Sequence, residues 1–547
     1  MKHSTLFGVL LLASSVAIAQ QHPATRPAVT LMSGIGDIHH PVATKNPAAQ
    51  QFFDQGLRLI YAFNHDEAAR SFQHAAELDP NMAMAYWGIA EAVGPNYNDP
   101  ANDDRRKQAY EAVQKAVHLS ANSPANEKAY IDAMAQRYPS ATNADWHQSA
   151  INASNAMREV TKKYPEDLDA ATLFAEAEMN LHPWGLWKTD GTPEEGTEEV
   201  VSTLESVIRR DPNHMGAVHY YIHAVEASPS PQRALPQANR LASLAPAAGH
   251  LVHMPAHVYI RTGDYDAAVQ TNEKAAAADR AYLKSSGVQG IYPMMYYSHN
   301  LHFIAIAGAM DGKFAESKRA ADMLATHVAP AVKMVPPLEP FVAIPIAVNV
   351  RFHRWNDILQ TPQPDPSMKV VTTFWHFSRG MAFAATGKMK EAEAEHQTVV
   401  EVENNTPADA IFAMPFNNKA RDILKIADNV LGARIAVAKN DNDSAIRMLQ
   451  EAVAVQDGLN YGEPPDWFFP VRESLGAVLL RAGKPDEAEK VFRADLDKNP
   501  RNPRSLFGLR QSLDAQKRSY EAGFVQKQFD AAWKGADTKL TAEELGT

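Results

Sequence analysis

Apolar positions along this chain recur at helical spacing, and strictly alternating β-branched runs are scarce. Ala-rich segments of about a dozen residues are set off by short Gly, Asn, Asp or Pro turns. The pattern predicts an all-α array of short helices. Its clearest unit is GDYDAAVQTNEKAAAAD, from Gly263 to Asp279. Two relatives are FNHDEAARSFQHAAELDP, Phe63 to Pro80, and GKPDEAEKVFRADLDKNP, Gly483 to Pro500. Each opens on a turn, continues through an alanine and an apolar or small residue four on, and ends on a closing residue or proline after the second helix.

Ala68, Phe72 and Pro80 resemble the signature of the tetratricopeptide repeat, as do Ala234, Ala238 and Pro246, and Ala488, Phe492 and Pro500. The resemblance covers most of residues 47–535. It implies a right-handed α-solenoid whose first helices line a concave surface. Four stretches depart from the pattern: Gly94 to Asp104, His182 to Gly196, Tyr282 to Tyr296, and Val335 to Pro366, which carries seven prolines. Inserts of this length in a compact array are usually functional loops or lids, and the Tyr282 to Tyr296 insert is read as a lid. The expected organisation is a leader at 1–19, an N-terminal arm at 20–46 and a first array at 47–332. An irregular Pro-rich connection at 333–367, a second array at 368–535 and a tail at 536–547 follow. More narrowly, HHPVATKNPAAQQFFDQGLRLIYAFNHDEAARSF with AMAYWGIAEAVGPNYN is similar to a group of exported bacterial tetratricopeptide proteins; that likeness carries location and fold, and no chemistry.

Composition narrows the classes. The chain has 547 residues, a net charge of -11 and no cysteine. Mild acidity without a long basic run argues against nucleic acid as a partner. The lack of thiols leaves His, Asp, Glu, Met, Tyr or backbone as the ligands for any metal. MKHSTLFGVLLLASSVAIAQ has a basic start, a short apolar run and small residues at Ala17 and Ala19, the features of a signal peptide. Nothing later is long enough to span a membrane. An exported protein, periplasmic or extracellular, is expected.

The chemistry lies in histidines. His219 and His223 are followed 34 residues on by His253 and His257; His250 and His253 recur 49 residues on as His299 and His302. Spacings of three, four and seven keep them on one helix face. Register set from the prolines alone places Glu91, Glu176, His223 and His257 at one level of successive first helices. By the resemblance, that level faces the groove. Neutral imidazole binds zinc, copper, nickel and iron, and H-x3-H lets two nitrogens reach one ion. The predicted ligands are His219, His223, His253 and His257, extended by His250, His299 and His302. Glu176 and Glu226 are candidate ligands or general bases. Zinc or copper is the first expectation for the ion, iron or nickel the second, as one ion with supporting imidazoles or as two.

Three alternatives stay open: a metal-free acid–base or substrate groove, structural stacking of the rings, and a metal-free scaffold for protein partners or peptides. A bound metal could serve metal handling, activate water for hydrolysis or bind oxygen, so the reading extends to a metal-dependent enzyme with a small molecule or peptide in the groove. His65 and His376 are read as packing residues, His376 buried. His39-His40-Pro41 is expected in a flexible arm, with an arm folded over the groove as the other possibility. Trp184, Trp187, Tyr292, Tyr296 and Tyr297 are candidates to wall a ligand site. Met294 and Met295 are placed in a loop. The chain has no P-loop, dinucleotide fingerprint, H-E-x-x-H or G-x-S-x-G.

Overall fold

The computed structural model describes residues 26–142, 144–413 and 417–545; the expected leader at 1–19 lies outside them. The described residues are helical, with isolated bridges and no strand. Helices pair in order into hairpins that stack side by side, from Pro47–Tyr61 with His65–Leu78 to Pro503–Ala515 with Ser519–Ala532.

Local chemistry explains the boundaries. Asn46 and Asn64 accept hydrogen bonds from the first free amides of the two opening helices, and Asp167 does the same at Leu168–Met179. Within a hairpin, one aromatic ring fills the space between close backbones. Phe72 sits where a Cβ at Gly56 or Gly88 would come within 2.6 Å of its ring, and Phe492 holds the same position against Gly476 and Gly508. Only glycine permits that approach. First helices are buried on nearly every side: all of Met215–Glu226 is buried, whereas Leu235–Leu244 buries only Ala238 and Leu241.

Both ends of the array fold back onto its middle. From the first hairpin, Tyr61 and Phe63 reach the Met215–Glu226 helix, and Tyr282 bonds Asn64 at 3.3 Å. From the far end, Arg501 pairs with Asp264 at 2.5 Å and Thr538 Oγ1 donates to Gly312 O at 2.8 Å. Two large apolar cores result, one drawn from residues 35–258 and the other from 256–545, with a small third cluster of Tyr282, Val288 and Tyr292.

Three segments differ from the sequence expectation. The arm is packed, not a flexible tail: His39 Nδ1 bonds Asp54 at 2.7 Å, His40 Nδ1 bonds Asp169 at 2.8 Å, and Gly34 O accepts from Ala247 N at 2.8 Å. The proline-rich stretch holds the helices Glu339–Arg351 and Trp355–Gln360. Its prolines are compatible with helix because Pro340 stands in the first turn, where no N–H is needed. Pro345 alone lies inside. Third, Tyr282 to Tyr296 is largely helical: Tyr265–Ser286 extends into it and a π-helical turn, Tyr292–Tyr297, leads into Ser298–Met310. Met294 and Met295 are therefore in a helix, not a loop.

Candidate metal centre

Three successive first helices supply the histidines. Met215–Glu226 carries His219, His223 and Glu226. The next is broken into Gly249–His253 and Pro255–Thr262, because Pro255 has no N–H to continue the ladder. Across the break lie His250, His253 and His257. Ser298–Met310 carries His299 and His302.

The rings converge as two triads. Ligand nitrogens of His219, His223 and His250 lie within 4.8 Å of one another, and so do those of His253, His257 and His299. The triads adjoin: the His223 and His257 ring centres are 5.5 Å apart, and those of His250 and His253 5.8 Å. The compact quartet expected from spacing is thus divided between two sets, each completed by a residue expected only to extend it.

The outer nitrogens are tied to acceptors. His219 Nδ1 donates to Tyr61 O at 2.7 Å. His223 Nδ1 donates to Glu226 Oε1 at 2.9 Å, and His257 Nδ1 donates to Glu226 Oε2. His253 Nδ1 donates to Asn272 Oδ1 at 2.6 Å, and Asn272 is oriented by its own bond to Ala268 O. A carbonyl or carboxylate at Nδ1 places the proton there and leaves Nε2 with a lone pair. These Nε2 atoms point at each other: His219 to His250 at 3.1 Å and His253 to His257 at 2.7 Å. Without a cation between them a proton must bridge each contact, since two lone pairs would repel. His223 Nε2 is buried with no hydrogen-bond partner.

Electrostatics follows burial. Desolvation is the largest effect on His219, His250, His253 and His299 and, with neighbouring imidazoles, holds them well below the usual histidine range. Burial also lowers His223, against the pull of Glu226. His257 is the exception: burial acts to lower it, but Glu226 and Glu463 raise it to about 10. Glu226 is drawn down to about 2, because His257 and His223 outweigh its desolvation. Glu463, unmarked by any sequence pattern, enters from the loop before Val471–Arg481; its Oε2 stands 2.8 Å from His257 Nδ1, and desolvation pushes it up to about 7.

Aromatic faces close the site. Phe63 stacks on His223 and His250 at 5.7 and 5.3 Å, and Phe303 on His257 at 5.0 Å. Tyr97 and Trp184 pack on His223, and Tyr296 on His250. Phe63 has φ 52°, in the left-handed region that glycine occupies at the matching turns Gly263, Gly312, Gly387 and Gly483. A phenylalanine at a glycine position was the available sequence signal for this residue.

Two predicted residues lie elsewhere. His302 packs edge-on against Phe341 at 5.4 Å, outside both triads, and burial lowers it to about 3. Glu176 faces Glu91, which pairs with Arg137 at 3.1 Å; desolvation and the Glu91 charge raise Glu176 to about 8. Its level is one that points inward, but it sits too early in the superhelix to reach the imidazoles. Nor is the centre an open groove: His219 and His253 are 0% exposed, because the first hairpin and the Glu463 loop fill the concave side. His376 is half-buried and bonded to Glu395 at 2.5 Å, so it is a partly exposed ion pair rather than a core ring.

Residues 252–282 match the family described as tetratricopeptide repeat, in line with the stacked helical hairpins of the fold. No helix among the described residues is long and apolar enough to cross a membrane. No curated protein matches the chain. Solved structures with similarity include the human IFIT1 dimer with m7Gppp-AAAA (13% identity, 90% of this chain and 91% of that chain, TM-score 0.34). Yeast Tom70 (10%, 88% and 90%, 0.28) and the P58(IPK) TPR domain (12%, 86% and 99%, 0.22) are others. Likenesses this distant carry nothing about the histidines.

Proposed function

We propose that this is an exported tetratricopeptide-repeat protein that holds two transition-metal ions, one in each histidine triad. The supporting observation is the division of labour within the rings. Nδ1 of four histidines is held by protein acceptors while Nε2 atoms converge on one another. Outer-nitrogen anchoring of this kind orients imidazoles toward a metal and raises their basicity. A purely structural stack gives no reason for His223 Nε2 to be buried without a hydrogen-bond partner, and an acid–base groove needs more open access than five of the six rings have. Export rests on the leader-like residues 1–19.

The test is elemental analysis of the mature protein, purified without a histidine tag, beside a His219→Ala/His257→Ala variant. Stoichiometric metal that disappears in the variant supports the reading. If neither sample holds metal after reconstitution, the reading fails, and the repeat array is then a metal-free scaffold whose partner capture is indifferent to chelators.

A further inference from the structure

We infer that the six-histidine centre takes copper, as two cuprous ions, and that its ligand is dioxygen; this rests on the paired-ion reading above. Three observations point there.

Charge comes first. The acidic side chains in contact with the six ligand rings are Glu226 and Glu463, both at the Nδ1 side of His257. Two divalent ions would leave a buried excess of positive charge, which is costly away from water. Two monovalent ions against two carboxylates balance. Arg261, the nearby cation, is half-exposed, donates to the Glu226 and Ser228 carbonyls and stacks over Tyr461.

The donor set agrees. Within each triad an ion would meet three imidazole nitrogens, and Glu226, which also forms a metal-capable group with His223 and His257, is hydrogen-bonded to Nδ1 of both rings. Three imidazole donors suit copper, zinc, iron or nickel, whereas magnesium, calcium or manganese would require oxygen, and the charge balance selects a monovalent ion from that set.

The walls set the ligand. Phe63, Phe303, Tyr97, Trp184 and Tyr296 cover the rings, and the two triads adjoin, with the His223 and His257 ring centres 5.5 Å apart and those of His250 and His253 5.8 Å apart. Such a wall disfavours bulky polar ligands such as peptides and sugars and suits a small apolar molecule. Side-by-side triads put both ions on one diatomic ligand. Each cuprous ion gives one electron, dioxygen takes both and is bound in its two-electron reduced form, and no proton or bond to carbon is involved. Release reverses the transfer.

The experiment loads untagged protein with a cuprous acetonitrile salt under argon, counts copper, and then admits air. Two coppers per chain, a new near-ultraviolet charge-transfer band, no paramagnetic cupric signal and loss of the band when oxygen is removed are expected. His299→Ala should abolish the band, and His302→Ala should leave it. Two coppers that stay colourless in air, or an isolated cupric signal, would overturn the dioxygen inference and leave the paired-metal reading standing. Retention of zinc but not copper would overturn the copper assignment alone. No metal of any kind would sink both.

Discussion

Glu463 stands 2.8 Å from Nδ1 of His257, although the two residues lie more than two hundred positions apart in the chain. The contact ties the late loop of the array to its centre. Two carboxylates on one imidazole make His257 the most electron-rich ring of the set.

Replacing Glu463 with Gln keeps the shape and removes one of those charges. We expect the metal count per chain to stay the same while affinity falls about 10- to 100-fold, the usual effect of losing an outer-shell carboxylate. Competition against a chelator of known affinity measures it, and unchanged affinity would remove Glu463 from the site.

His302→Ala should retain full metal content, and His250→Ala should not. Both histidines were grouped together by spacing, but only His250 faces a triad. Elemental analysis of the two variants decides, and loss of metal from His302→Ala would contradict the geometry.

Phe63→Ala removes a buried ring, a cost of about 3–5 kcal/mol, and keeps the left-handed backbone penalty. Phe63→Gly also removes the ring but relieves roughly 1 kcal/mol of that penalty. The glycine variant should therefore be the more stable of the two in urea denaturation. The opposite order would show that backbone strain at Phe63 is negligible.

Glu176 gives the protein a pH dependence in the neutral range. Its folded value, about 8, lies above its ordinary one. Between pH 4.5 and 8 the folded state holds a proton that the unfolded chain has lost. Stability from this group is therefore present at low pH and declines as pH rises, at up to ~1.4 kcal/mol per unit. Denaturation at pH 5, 6.5 and 8 should show the decline, and Glu176→Gln should flatten it.

The arm is held by the opposite kind of titration at its two partners. Asp169 is drawn far below its ordinary value: burial opposes this, but bonds to His214 and His40 prevail. Its contribution is present above about pH 4 and is lost as pH falls. His40 is raised because Asp169 outweighs its desolvation, so its contribution is full below about pH 6.5 and is lost as pH rises through the raised value. Limited proteolysis near Ile38 should be slowest between about pH 4 and 6.5 and faster on either side; Asp169→Asn should remove the minimum.

Much of the repeat fold was legible in the residues themselves. Ala68, Phe72 and Pro80 report contacts within one hairpin and with its neighbour, and these depend on spacing along the chain. Proline position, by contrast, misled at 333–367, because a proline in a first helical turn costs little. The histidine faces were visible for the same reason as the repeats, since helical periodicity places His219 above His223 and His253 above His257.

Sequence alone therefore determined that helical hairpins stack, that first helices face inward, and that six or seven imidazoles lie on one face of three successive helices. Tertiary structure decided what that face meets. Only the folding back of the first hairpin brings Tyr61 O to His219 and the Phe63 ring onto His223. Only the return of the far end brings Glu463 to His257, and the same closure excludes His302 and Glu176. Neighbour contacts are written in local spacing, whereas these depend on the accumulated rotation of many repeats, which no single repeat records.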